Sequence, residues 1–125
     1  MLNFVEVEKV QGQRPSKIVT RCWSAQPTTT DVFNIVCIKL QDLQNIAKGR
    51  TNYWGYEKPK FGTLEELIDV YVPSWIYNTP QGPQRVRPIK GNFNGGFQTH
   101  REAVEICQQV WANKERWRTT IIMAH

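Results

Sequence analysis

Two stretches of the sequence, FGTLEELIDVYVPSW at positions 61–75 and FQTHREAVEICQQVW at positions 97–111, follow one grammar. Phe61 and Phe97, Thr63 and Thr99, Glu66 and Glu102, and Trp75 and Trp111 coincide, and Leu67-Ile68-Asp69-Val70 faces Ala103-Val104-Glu105-Ile106. Thr-x-x-Glu is a capping box, in which the threonine hydroxyl accepts from a first-turn N–H while the glutamate reaches back to the N–H of the threonine. Each such cap stabilises its helix by about 1 kcal/mol. Behind the caps, Leu64, Leu67, Ile68 and Tyr71 recur at helical spacing, and Ala103, Cys107, Val110 and Trp111 repeat the stripe. Two capped helices are therefore predicted, each entered from a strand that ends in phenylalanine. Pro73 stops the first, and the second runs to about Lys114. Good capping chemistry alone accounts for much of the match, and two copies do not make a solenoid.

Helices with one apolar stripe need a sheet to pack on, and the flanking sequence supplies strands. Residues 2–10 and 16–23 interleave apolar and charged residues around QGQRPS, which reads as a hairpin with Gly12 and Pro15 in its loop. Residues 32–40, VFNIVCIKL, fit helical spacing, but their density of β-branched residues favours a buried strand followed by a short helix, QDLQNIAK, ended by Gly49. The stretch YNTPQGPQRVRPIKGNFNGG reads as a long loop or a loosely paired hairpin, with Pro88 arguing against a central strand. RWRTTIIMAH reads as a closing strand. The expected fold class is α+β: one small domain with a mostly antiparallel sheet and two capped helices packed on it. Its parts are an N-terminal hairpin with strand and helix (1–49), a first strand-to-helix unit (50–75), a basic Pro/Gly loop or hairpin (76–96), and a second unit with the closing strand (97–125).

A chain of 125 residues buries roughly two-thirds of its unfolded surface without help from metals or disulfides. Cys22, Cys37 and Cys107 form no CxxC pair, so neither a disulfide framework nor a zinc knuckle is expected, and no metal or cofactor is implied. No apolar run reaches the ~20 residues of a membrane span, and Glu6 and Glu8 interrupt the start where a signal peptide would be basic and then apolar. The expectation is a protein kept in the cytoplasm, with no membrane partner.

The net charge is +5, and its distribution matters more than its sum. Residues 9–30 contain Lys9, Arg14, Lys17 and Arg21 with no acid, and residues 70–101 contain Arg85, Arg87, Lys90 and Arg101, again with none. Arginine forks bind phosphate oxygens bidentately, so these two windows are the candidate contacts to DNA or RNA. Trp54 and Tyr56, beside Lys58 and Lys60, offer stacking surfaces for unpaired bases. The bland alternative is a solvated basic surface with aromatics that simply fill the core. A second functional reading is a protein-interaction module anchored by Trp117 between Arg116 and Arg118, residue types favoured at hot spots.

One segment adds a resemblance. GGFQTHREAV, positions 95–104, resembles the last strand and helix start of small three-stranded DNA-binding domains of the AP2-like and phage-integrase arm-binding type, which read Gly-x-Phe-x-Thr-x-x-Glu-Ala. The resemblance implies a sheet that enters the major groove with the helix supporting it from behind. The strands upstream depart from that pattern at Pro80, Pro83 and Pro88.

Catalytic chemistry is not written clearly. His100 and Cys107 lie seven residues apart on one helix, about 10 Å, too far for a thiolate–imidazole pair. Cys107 reads as a small core residue and His100 as a solvent-exposed first-turn residue. Glu57 with Lys58 and Lys60 is the nearest approach to a metal-dependent nuclease cluster, and it lacks a second acid. The leading expectation is a non-enzymatic basic protein that binds nucleic acid or a nucleic-acid-processing complex. Oligomeric state is open.

Overall fold

The computed structural model describes residues 1–8, 18–49, 68–86 and 96–116. Among these residues lie five strands, β1 (Val5–Val7), β2 (Arg21–Ala25), β3 (Asp31–Lys39), β4 (Asp69–Thr79) and β5 (Gly82–Val86), and two helices, α1 (Leu40–Ala47) and α2 (His100–Ala112). The strands form one antiparallel sheet in the order β1-β2-β3-β4-β5. The expected α+β architecture, a mostly antiparallel sheet with helices packed on it, is what the chain forms.

Alternation along the strands sends side chains to two faces. On one face Trp23, Phe33, Ile35, Trp75 and Tyr77 pack against Ala103, Cys107 and Val110 of α2. On the other, Ile38, Val70 and Val72 pack against Leu40 and Leu43 of α1. The first core is aromatic: the Phe33 and Trp75 rings stack at 5.5 Å with an interplanar angle of 3°, and Trp111 meets Phe33 edge-on at 6.0 Å. The Trp75 indole N–H donates to the buried carboxylate of Asp31 at 3.0 Å, and Thr28 donates its hydroxyl to the other carboxylate oxygen at 2.7 Å. The β2–β3 turn is thereby tied to the centre of the core.

The β-branched reading of residues 32–40 is correct, and β3 passes directly into α1. That helix closes on Gly49, whose φ of +73° is open to glycine and whose N–H donates to the Ile46 carbonyl at 3.0 Å. Its polar residues Gln41, Asp42 and Asn45 are nevertheless buried, which the amphipathic pattern did not foretell. The β4–β5 hairpin turns at Pro80–Gln81, with Gly82 at φ +106° and the Thr79 hydroxyl donating to the Gly82 carbonyl at 2.7 Å.

The first strand-to-helix unit needs correction. Residues 69–72, read from the sequence as the end of a capped helix stopped by Pro73, belong to β4, the longest strand, and β4 runs through the boundary placed between residues 75 and 76. Val70, Tyr71, Val72, Trp75, Ile76 and Tyr77 are strand formers, and pairing with β3 along Asp69 to Tyr77 outweighs the helical spacing. Pro73 is tolerated for a geometric reason. Tyr71 exchanges both backbone hydrogen bonds with Phe97, at 2.8 and 2.9 Å, so alternate residues of β4 direct their backbone groups away from β3. Pro73 is one of these, and its missing N–H costs no bond to β3. Residues 61–67, with Phe61, Thr63 and Glu66, lie outside the described residues.

The helix of the second unit forms where predicted, although the glutamate of its cap binds the threonine hydroxyl rather than the threonine N–H. Thr99 is the N-cap of α2, accepting from the Glu102 N–H at 3.1 Å, and its hydroxyl donates to the Glu102 carboxylate at 3.0 Å. Phe97 closes the preceding bridge to Tyr71. After α2, Lys114 to Arg116 form a further helical turn, so the strand predicted from residue 116 does not begin there. Residues 117–125 lie outside the described residues.

Candidate functional site

The described framework is not basic. It holds seven lysines and arginines against eight aspartates and glutamates, a net −1, so the remaining segments, 9–17, 50–67, 87–95 and 117–125, carry +6 between them. Of that, 9–17 contributes +3 and 87–95 contributes +2, each without an acid. These segments hold three of the four charges in the first acid-free window and two of the four in the second.

Where these segments join the framework is well defined. Arg21, Cys37, Tyr71 and Phe97 form one row across the sheet, through the Arg21–Cys37, Cys37–Tyr71 and Tyr71–Phe97 pairs. Segment 9–17 leaves one residue beyond β1, beside this row, and re-enters at Ile18, two residues before Thr20, which donates its N–H to the Cys37 carbonyl at 2.9 Å. Segment 87–95 ends at Gly96, next to Phe97. Segment 50–67 ends at Ile68, whose carbonyl accepts from the Leu40 N–H at 2.8 Å, and Lys39 pairs with Asp69 there at 2.8 Å. At about 4.8 Å per strand, the Arg21 and Phe97 ends of the row are roughly 14 Å apart.

The side chains on this end of the sheet form a polar-aromatic cluster. Arg21 grips Glu6 with two parallel hydrogen bonds, Nε to Oε2 at 3.0 Å and Nη2 to Oε1 at 2.6 Å, and lies over the Trp23 ring at 4.8 Å. Its hydrogen bonds to Arg21 hold the Glu6 carboxyl below the usual range, and the same bonds raise the guanidinium. His100, the first residue of α2, packs on the Trp23 ring at 4.4 Å and edge-on to Tyr71 at 6.0 Å. It is half-buried rather than solvent-exposed as the sequence suggested, and its Nε2 is buried with no partner among the described residues. Burial, reinforced by the positive charge of Arg21, lowers its pKa. Burial likewise raises Tyr71.

The residues singled out from the sequence separate into three groups. Arg21 belongs to the row. Arg85 lies on β5 at the step opposite Ile76, so it projects from the α1 face while Arg21 projects from the α2 face, and the two do not share a surface. Arg101 stands on the exposed side of α2, paired with Glu105 at 3.2 Å, and Arg116 is exposed on the turn beyond α2. Arg14, Lys17, Arg87, Lys90, Trp54, Tyr56, Trp117 and Arg118 lie outside the described residues, as do Glu57, Lys58 and Lys60.

Sequence reasoning missed Glu6 and His100. The alternation of Glu6 with Val5 and Val7 placed it on one face of a hairpin, opposite a strand containing Arg21, and that was the available signal for the pair. His100 carried none, because its burial depends on the bulk of Trp23 two strands from the helix's main contact with β4. Cys107 is a fully buried core residue as expected, and burial pushes its thiol up to about 12, so no thiolate is available near neutral pH.

No protein-family model, curated protein or solved structure matches this chain.

Proposed function

We propose that this protein binds nucleic acid, without catalysing a reaction on it, through the basic segments 9–17 and 87–95 presented from one end of the sheet. The observation that carries this reading is the segregation of charge: a near-neutral framework of net −1 holds segments of +3 and +2, each with one end beside the Arg21–Phe97 row. Charge of one sign concentrated in connecting segments is how a rigid frame presents a polyanion contact. Arg14, Lys17, Arg87 and Lys90 are the proposed phosphate contacts. Arg85 is left out of this group because it lies on β5, and Arg101 because it lies on α2, so neither belongs to the two segments.

The test is binding to mixed-sequence double- and single-stranded DNA and to RNA across a salt series. Four phosphate contacts give a slope of log K against log salt of about −3 to −4. Absence of binding at low salt, or a flat salt dependence, removes the proposal. Capture of a protein partner that is lost in Trp117→Ala and unaffected by salt would favour the interaction-module reading instead.

A further inference from the structure

Arg21 is the one arginine on the α2 face of the described sheet, and its surroundings are those of a receptor rather than of a packing contact. Its side chain and that of Glu6 are 56% and 49% exposed, so the pair is not locked by burial and contributes little to stability. The guanidinium has a second contact besides Glu6. It rests on the Trp23 ring at 4.8 Å, and Trp23 is itself fixed between the core and the His100 ring. A fork positioned by a buried indole keeps its orientation when its anion leaves.

The anion now in the fork comes from the weakest strand. β1 is a three-residue edge strand held by β2 alone, and Glu6 reaches Arg21 diagonally, because its direct ladder partner is Trp23. Glu8, one step beyond the ladder and nearer Arg21 in register, is not the residue taken: both guanidinium hydrogen bonds go to Glu6. A carboxylate with two oxygens on a bidentate arginine occupies the same geometry as two oxygens of a phosphodiester. The site also lies in the row where segment 9–17 re-enters the sheet.

We propose that Arg21 is a backbone-phosphate receptor and that Glu6 is the internal anion that fills it until phosphate takes its place. That the phosphate belongs to a polynucleotide rests on the reading given above. The latch lowers affinity for any polyanion too weakly held by the segments to displace Glu6, and it makes the affinity of the wild-type protein less than its basic charge allows.

The experiment compares wild type, Glu6→Gln and Glu8→Gln, two variants with the same gain in charge at the same edge, in binding to a mixed-sequence DNA duplex and an RNA oligonucleotide. In parallel, the Arg21 Nε–H resonance is followed by NMR during titration with inorganic phosphate. Removing the competing carboxylate frees Arg21 for phosphate, so Glu6→Gln should bind at least about threefold more tightly than Glu8→Gln, with similar salt slopes, because the same phosphates are contacted once bound. The Arg21 resonance should move with phosphate in Glu6→Gln and much less in wild type or Glu8→Gln. Equal effects of the two glutamine variants on both readouts overturn the latch. A phosphate response at Arg21 in Glu6→Gln without oligonucleotide binding by any variant would keep the receptor and reject the nucleic-acid function.

Discussion

The two stretches that share the Phe-x-Thr-x-x-Glu grammar end in different structures. Residues 99–111 form the cap and body of helix α2, whereas residues 69–75, which align with 105–111, form the first seven residues of β4. The pairs that align make the difference plain: Tyr71 with Cys107, Pro73 with Gln109, Trp75 with Trp111. Tyr71 and Val72 are more strand-prone than the Cys107 and Gln108 they align with, the other positions do not favour a strand, and what sets the first stretch apart is β3, which supplies a ladder nine residues long. A capping grammar does not fix the conformation of the residues that follow it when a neighbouring strand competes for their backbone.

The comparison can be broken first at the tryptophans. Trp75 is fully buried, stacked on Phe33 and hydrogen-bonded to Asp31, whereas Trp111 is half-buried at the edge of the same core. Trp75→Ala is expected to destabilise the protein by about 3–5 kcal/mol in urea unfolding, and Trp111→Ala by clearly less. Equal losses would mean the two positions are structurally alike after all. Next come the residues at the seventy-third and hundred-and-ninth positions. Gln109→Pro should cost about 3 kcal/mol or more, because it removes a helix-interior N–H and clashes with the preceding turn. Pro73→Val should stay within about 1 kcal/mol of wild type, since the volume is kept and a strand accepts valine readily. A severe loss from Pro73→Val would show that the proline has a role in β4 beyond occupying a free ladder position.

Much of this was legible in advance, and the failures have a common origin. The strand at 32–40 and the helix end at Gly49 could be read because β-branched density and a glycine after the last periodic residue are local signals. The α2 cap could be read for the same reason. β4 could not, because Leu64, Leu67, Ile68 and Tyr71 satisfy a helical period while Val70, Tyr71, Val72 and Trp75 satisfy a strand, and the choice is made by β3, which lies thirty residues away. The site was legible in outline only: the acid-free windows are a property of the sequence, but the separation of Arg21 from Arg85 by sheet face depends on register, and the Glu6 partner on which strands pair.

Two smaller effects sharpen the helix side of the comparison. Thr99→Ala removes the hydroxyl that accepts from the Glu102 N–H and should cost about 1 kcal/mol, measured by the shift of the unfolding midpoint. His100 adds a pH dependence. An unfolded histidine titrates near 6.5, and in the folded protein burial and Arg21 lower that value, so the folded state takes up the proton less readily. Stability from this group is complete above the unfolded value and falls as pH drops through it toward the lower folded one. Wild type should therefore lose more stability between pH 7.5 and 5.5 than His100→Phe does. Identical losses would show that the ring titrates as freely as it does in the unfolded chain.

The most direct test of the account asks where the binding charge resides. One variant replaces Arg14, Lys17, Arg87 and Lys90 with glutamine, and a second replaces Lys48, Arg85, Lys114 and Arg116, an equal loss of four charges taken from the framework. Salt-dependent binding to a DNA duplex and to RNA is measured for both. The account predicts that the first variant loses a slope of about 3–4 while the second keeps nearly all of it. Equal losses would contradict it, because net charge rather than the two segments would then carry the interaction.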